Sequence, residues 1–101
     1  MLLLKRQFFP AVRSGAKTTT LRYWRRRQAR PGSVHLVPGL GRVRIESVEP
    51  ADVRTLTGDD ARTDGFDDLK ALRAALDHLY PRSRREGRTL YRVRFTFLAN
   101  E

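Results

Sequence analysis

The stretch GAKTTTLR, residues 15–22, places two cations and three threonines directly after a helix signal. A short helix is predicted over residues 8–15, because Pro10 suits a first helical turn and Gly15 is typical of a helix end. The threonine-rich residues 17–23 favour a strand. The stretch is therefore expected to lie where a helix gives way to a strand.

Lys17 and Arg22 stand five positions apart, and side chains at an odd spacing point to opposite faces of a strand. We expect the strand to begin after Lys17. Thr18, Thr20 and Arg22 would then share one face. Such a patch carries an ammonium, two hydroxyls and a guanidinium, which together recognise a phosphate or the edge of a nucleobase. The alternative is a solvated strand whose threonines serve only strand formation.

The remaining sequence predicts more strands than helices, judged from the spacing of apolar residues. A change of phase near Ser47 predicts a β-bulge. Thr57, with an acid three residues later, resembles a capping box, and Pro81 ends the long helix. The predicted strands cover residues 2–4, 33–37, 42–48 and 90–97, and the predicted helices cover residues 56–61 and 66–79. This order predicts one α+β domain, residues 1–101, with a small closed or half-closed sheet.

The charge is strongly positive and unevenly distributed. The formal net charge is +10, 18 of the 21 basic residues are arginine, and the first 45 residues contain no acid. Arginine binds phosphate through a planar fork of donors, so the pattern favours a surface that binds a polyanion. The alternative is a genome that favours arginine codons and charged surfaces.

Several classes of site are excluded by composition. The chain has no cysteine and two histidines, so disulfides and a cysteine nucleophile are excluded and neither a metal nor another cofactor is expected. The apolar run Met1–Leu4 stops at Lys5, which is too short for a signal peptide or a membrane span. We expect a cytoplasmic protein without a membrane partner, and the oligomeric state stays open.

A basic segment with two aromatic residues follows the predicted strand. Tyr23 and Trp24 are candidates for stacking on bases, although a tryptophan in a small domain also suits the core. The predicted phosphate contacts are Arg25, Arg26, Arg27 and Arg30. The arginines within residues 82–88 form either a second phosphate patch or a solvated loop.

The spacing Gly15-x-Lys17-x-x-x-x-Arg22 resembles the ASCH motif, which has a glycine, a lysine two residues later and an arginine five further on. Segments similar to that family occur along almost the whole chain: residues 8–9, 30–33, 56–61, 65–66, 79–81 and 91–95. The resemblance implies a PUA-like β-barrel of about five to six strands with helices covering one opening. It also implies RNA binding in a basic cleft between the barrel and the helices, with Lys17 and Arg22 in the cleft.

The resemblance further implies a possible activity. Small ASCH proteins include amidohydrolases that deacetylate N4-acetylcytidine with a lysine, a threonine and a glutamate. Lys17 and Thr20 match the first two positions, while Asp64 stands where the glutamate is expected. In that role Thr20 would attack the acetyl carbonyl, Lys17 would accept its proton, and Asp64 would orient the lysine or the amide. Since Asp is one methylene shorter than Glu, the shorter reach leaves catalysis an open question.

Three functions therefore stay open. The favoured one is a non-catalytic domain that binds RNA or a nucleotide base, because the excess of arginine goes beyond what a neutral nucleoside requires. The alternative is the amidohydrolase acting on a modified nucleoside. A third is a protein-interaction domain whose acidic middle segment, residues 46–77, docks on a basic partner.

Overall fold

The computed structural model describes residues 2–99. A 3₁₀ turn at Arg6–Phe8 leads into the first α-helix, and a second one at Val53–Thr55 follows the third strand. The α-helices and strands, in chain order, are α1 (Phe9–Ser14), β1 (Thr19–Trp24), β2 (Val34–Val37), β3 (Gly41–Pro50), α2 (Gly58–Thr63), α3 (Leu69–Leu79), α4 (Arg82–Arg85) and β4 (Thr89–Leu98).

The four strands form one antiparallel sheet in the order β1-β4-β3-β2. Because β1 and β2 lie at opposite edges and do not pair, the sheet is open. The predicted α+β class is confirmed, but the prediction of a closed barrel with five to six strands is wrong for the described residues.

The predicted strand at residues 2–4 does not form, which removes one of the expected strands. Leu2 is buried in the core whereas Leu3 is 60% exposed. Side chains hold this segment: the Leu2 N–H donates to His35 Nδ1 at 3.1 Å, and the Arg22 guanidinium donates to the Leu3 carbonyl. An apolar run thus contributes to the core without joining the sheet.

The predicted bulge lies in β3. Ile45 pairs with Phe95 and Ser47 with Arg94, so one extra residue of β3 is accommodated between the two pairs. This shift returns Val48 to the side that Ile45 faces, and both pack in the same apolar cluster. The local change of phase in the sequence therefore predicted the bulge correctly.

Two apolar clusters make up the core. The larger one contains Leu2, Phe9, Val12, Trp24, Val43, Ile45, Val93 and Phe95 among others. The smaller one contains Leu21, Tyr23, Leu56, Ala61, Leu72, Leu76 and Leu90. Tyr23 and Trp24 are neighbours in β1 but belong to different clusters, as expected when successive side chains point to opposite faces of a strand. The sheet therefore has packed residues on both of its faces along β1.

Helix α2 begins with the predicted capping box. The Asp60 N–H donates to Thr57 Oγ1 at 3.2 Å, and the Thr57 N–H donates to Asp60 Oδ2 at 2.8 Å. The helix ends at Thr63 with Asp64 as its C-terminal cap, and Gly65 follows in the left-handed region with a φ of 95°. The short helix therefore sets the position of Asp64.

Helix α3 begins later than the sequence predicts. Its first residue is Leu69 instead of Phe66, because the Asp68 side chain accepts the N–H of Ala71 and caps the helix. It ends at Leu79, before Pro81, as expected. Among residues 2–99, no helix is long and apolar enough to cross a membrane.

Candidate functional site

A cavity of about 270 Å³ opens beside β1, at the edge of the sheet, and several residues of the smaller apolar cluster line it. Its polar lining consists of Lys5, Lys17, Thr20, Arg22 and Asp64. Its largely apolar walls include Leu4, Phe8, Phe66, Leu72, Leu76 and Tyr80. The structure therefore brings four residues singled out in the sequence, at positions 17, 20, 22 and 64, to one concave surface.

Lys17 lies in the turn between α1 and β1, so β1 starts after it as predicted. Its side chain is buried, and Nζ donates to the Thr19 carbonyl at 2.7 Å and to the Asp64 carbonyl. The Asp64 carboxylate is 3.8 Å from Nζ, and the Phe8 ring centroid is 4.7 Å from it. Carbonyl oxygens thus satisfy two of the three N–H donors, and the ammonium also forms an ion pair with the Asp64 carboxylate.

The Lys17 ammonium and the Asp64 carboxylate form a buried ion pair, and burial disfavours the charged form of each group. Burial lowers the pKa of Lys17 to about 8, an effect that the Asp64 charge opposes and the Arg22 charge reinforces. Burial raises the pKa of Asp64 to about 6, although Lys17 and the Thr19 hydroxyl act in the opposite direction. Both groups can therefore gain or lose a proton close to neutral pH, which is typical of functional sites.

Two further threonines support the pair. Thr19 Oγ1 lies 3.3 Å from both Asp64 Oδ1 and Thr63 Oγ1, and Thr19 is almost fully buried. The Thr19 hydroxyl thus orients the carboxylate from beneath the cavity. The sequence did not indicate this role, because the strand alternation that places Thr20 in the cavity turns Thr19 away from it.

Thr18 does not join the patch in which the alternation placed it. Its N–H donates to the Thr63 carbonyl at 2.9 Å, and its carbonyl accepts the Phe95 N–H at 2.9 Å. These backbone bonds tie the start of β1 to α2 and β4. Thr18 therefore serves the framework, and its side chain is outside the cavity lining.

Arg22 and Thr20 share one face of β1, as predicted. Arg22 Nε donates to Thr20 Oγ1 at 3.0 Å, and Nη2 donates to the Leu3 carbonyl. Burial lowers the pKa of Arg22, which nevertheless keeps its charge at neutral pH. Within residues 2–99, no hydrogen bond joins Lys17 to Thr20, so the contact that a lysine base would need is not preformed.

Aromatic rings close the cavity. Phe8 and Phe66 meet edge to face with their centroids 5.4 Å apart. A Cβ atom at Gly65 would lie 2.9 Å from Phe8 Cδ1 and 3.2 Å from Lys17 Cδ, so only glycine fits between these side chains. In the sequence, Phe8 and Tyr80 were noted only within the family-like segments 8–9 and 79–81 and were not predicted as site residues.

Comparison with known proteins shows similarity only at the level of structure. No family model matches the sequence, and no curated protein does. The hypothetical protein PH0355 superposes with a TM-score of 0.76 at 14% identity, over 95% of each chain. The ASCH domain from Lactobacillus crispatus JV V101 superposes with a TM-score of 0.72 at 17% identity, over 87% of this chain and 68% of that one.

The chain has the fold of an ASCH domain. The resemblance noted from Gly15, Lys17 and Arg22 is thereby confirmed for the fold. In this ASCH fold Gly15 ends α1 at a φ of 84°, Lys17 lies in the turn that follows, and Arg22 lies within β1. The motif therefore marks the segment that delivers the cations to the cavity.

The ASCH fold buries the two aromatic residues that were predicted to stack on bases. Tyr23 packs in the smaller cluster with its ring centroid 5.2 Å from that of Tyr80, and Trp24 packs in the larger cluster 5.9 Å from Tyr91. Each is less than 9% exposed. Core packing therefore replaces the predicted stacking role, because neither ring offers a free face.

The predicted phosphate contacts are on the surface. Arg25, Arg26, Arg27 and Arg30 are all exposed, in the segment that leads from β1 towards β2. None of the four lines the cavity. Their role as phosphate contacts stays a prediction. In the described part of the chain, no group of three or more acidic or histidine side chains could hold a metal ion.

Proposed function

We propose that this ASCH-fold chain binds RNA by accepting one unpaired nucleobase in the cavity beside β1. The observation that carries the proposal is the convergence of Lys17, Arg22 and Asp64 between aromatic walls in a space of about 270 Å³. Such a volume lies near the lower end of ligand pockets, which begin at about 300 Å³, and suits a single base. The proposal extends the RNA-binding expectation that the sequence resemblance raised.

The chemistry of the lining matches the edge of a base. Bases present both hydrogen-bond donors and acceptors along one edge. Lys17 and Arg22 supply donors, and the Asp64 carboxylate supplies an acceptor. The walls formed by Phe8, Phe66 and Tyr80 offer apolar surface to the flat faces of the ring, and stacking on an aromatic is worth about 1–3 kcal/mol per base.

A base can enter such a space only when it is not stacked in a helix. Sequence-specific recognition of RNA generally targets loops, bulges and single strands, where bases are available. Within the polar lining, Lys17 and Asp64 are buried, with 3% and 5% of their surface exposed. We therefore propose single-stranded or looped RNA as the partner.

The test is binding of a labelled single-stranded RNA to wild type and to Lys17→Met, followed by fluorescence anisotropy. Lys17→Met keeps the length of the side chain and removes its donors, so we expect affinity to fall by about 10–100-fold, since a hydrogen bond to a charged group contributes about 1.5–3 kcal/mol. Lys70→Met is the matched control, because Lys70 is exposed on α3 and outside the cavity lining. Equal losses in the two variants, or no binding by wild type, would refute the proposal.

A second candidate is hydrolysis of N4-acetylcytidine. It is favoured by the convergence of Lys17, Thr20 and Asp64 in one cavity, where a Lys17 pKa of about 8 leaves about a tenth of this amine neutral at pH 7. The neutral amine could accept the proton of Thr20 while Oγ1 attacks the acetyl carbon. The C–N4 bond would then break as the lysine ammonium returns the proton to N4 and cytidine leaves, and water would hydrolyse the acyl-threonine to acetate and free threonine. The Asp64 side chain and carbonyl hold the lysine in place.

This candidate is tested by incubating pure protein with N4-acetylcytidine and measuring cytidine by chromatography. We expect turnover by wild type and its loss in Thr20→Val. Thr18→Val is the matched control, because Thr18 lies two residues away and outside the cavity lining, and it should keep the activity. The absence of cytidine with wild-type protein removes the candidate and leaves base binding untouched.

A further inference from the structure

Two basic segments that are far apart in the sequence meet at one end of the sheet. Trp24, the last residue of β1, pairs with Thr89, the first residue of β4. Residues 25–30 follow Trp24 and residues 82–88 precede Thr89, so the two segments are adjacent where they join the sheet. Arg25 Nη1 would lie 3.0 Å from a Cβ atom at Gly87, so the two segments are in direct proximity.

The combined surface is rich in unpaired positive charge. The two segments contain eight arginines and one acid, Glu86. Among residues 2–99, the ion pairs involve one of these arginines, Arg85, which binds Asp77 at 2.7 Å. We call five of the seven remaining arginines the arginine cluster: Arg25, Arg26, Arg82, Arg84 and Arg88.

One member of the arginine cluster has a buried donor without a partner. Arg88 Nε is shielded from solvent and makes no hydrogen bond in the described chain. Unpaired buried donors are rare, and a water, an ion or a bound ligand can account for one. Close like charges also repel one another, so the cluster is stabilised when an anion binds there.

The arginine cluster adjoins the cavity through the end of α3. The Arg84 guanidinium lies 5.5 Å from the centre of the Tyr80 ring, and its Nη1 donates to the Leu79 carbonyl at 2.9 Å. Leu79 and Tyr80 both line the cavity. Arg85 Nε reinforces the contact by donating to the Tyr80 carbonyl at 2.6 Å. The cationic surface is thus next to the wall of the base-sized space.

We infer that the arginine cluster binds the phosphates next to the nucleotide whose base occupies the cavity. The ligand is then a nucleic-acid strand and not a free nucleoside. The inference rests on the proposed function, because it takes the base to be in the cavity. Arginine side chains bind phosphate oxygens through paired donors, and phosphates recur along a strand. Arginines without an ion pair beside a base-sized cavity therefore favour a nucleic-acid strand over an acidic protein as the ligand.

The experiment compares two double variants of equal charge. Arg25→Gln/Arg82→Gln removes two exposed cations from the arginine cluster, whereas Arg42→Gln/Arg94→Gln removes two exposed, unpaired cations from β3 and β4. The probe is a fluorescein-labelled 12-nucleotide single-stranded RNA of mixed sequence, measured by anisotropy over a range of KCl concentrations. Single-stranded DNA of the same sequence and polyglutamate serve as competitors.

We expect the cluster variant to bind at least tenfold more weakly. Each phosphate contact contributes about −0.7 to the slope of log affinity against log salt, so the slope should become shallower by about 1.4 when two contacts are lost. The control variant should keep the wild-type slope. Displacement by the DNA strand supports a contact to the phosphate backbone, whereas equal displacement by polyglutamate at matched charge overturns the assignment to nucleic acid.

The result can fail in two distinguishable ways. If free nucleosides shift the NMR signals of Lys17 and Asp64 but the two double variants behave alike towards RNA, the inference is wrong and the proposed function stands. If RNA binding depends on the arginine cluster but Lys17→Met leaves it unchanged, the base does not occupy the cavity, and both the proposed function and the inference are overturned.

Discussion

The buried ammonium of Lys17 makes the stability of the fold depend on pH in alkaline solution. Burial lowers its pKa from the ordinary 10.5 to about 8. Between these two values the unfolded chain binds a proton that the folded chain does not. The free energy of unfolding therefore rises as the pH increases from about 8 to 10.5, and the change from this one residue corresponds to about 3 kcal/mol.

The carboxyl of Asp64 has the opposite dependence in acid. Burial raises its pKa from 3.8 to about 6, so in this range the folded chain binds a proton that the unfolded chain has released. The free energy of unfolding consequently falls as the pH rises through that window, again by about 3 kcal/mol. The pair therefore contributes least to stability between pH 6 and pH 8, where both groups are mostly charged.

The assay is urea unfolding at a series of pH values, followed by the fluorescence of Trp24, the single tryptophan, which is buried. The unfolding free energy of wild type minus that of Lys17→Met should increase by about 3 kcal/mol from pH 8 to pH 10.5. Contributions that the two proteins share cancel in the difference. A difference that stays constant across the range would show that the Lys17 pKa is not lowered and would refute the reasoning.

Two further predictions concern the framework of the cavity. Gly65→Ala and Gly32→Ala both place a side chain at positive φ, but only the first new Cβ meets a neighbour, 2.9 Å from Phe8, so we expect it to cost about 1–3 kcal/mol more in urea unfolding. Equal costs would contradict the close packing. Thr57→Ala removes the cap of α2 and should lower the unfolding free energy by about 1 kcal/mol, whereas Thr55→Ala, which caps no α-helix, should cost less. If the two threonine variants are equally stable, the capping box contributes nothing.

Local signals in the sequence were sufficient for most of the secondary structure. The glycine that ends α1, the Thr57 cap, the Pro81 stop and the bulge near Ser47 each depend on residues within a few positions of one another. They could be predicted because helix ends and strand phase are set by short-range hydrogen bonds and side-chain direction. The start of β1 after Lys17 was predicted from the same alternation.

Long-range packing was not predictable in the same way. Apolar character indicates that Leu2, Tyr23 and Trp24 are buried, but it does not indicate against which residues. The predicted first strand, residues 2–4, is instead a segment held by side-chain hydrogen bonds. Tyr23 and Trp24, which were predicted to stack on bases, are core residues. Burial is driven by the removal of apolar surface from water, which has no direction, so the sequence left these partners undetermined.

The sequence by itself determined the chemical groups: an ammonium and a guanidinium after a capped helix, and an arginine-rich first half. Only the tertiary structure decided that the sheet stays open, that Asp64 meets Lys17 across 47 positions, and that Arg25 lies beside Gly87. The physical reason is that these contacts are fixed by strand order and register. Both result from packing the whole chain at once, and no local segment specifies them.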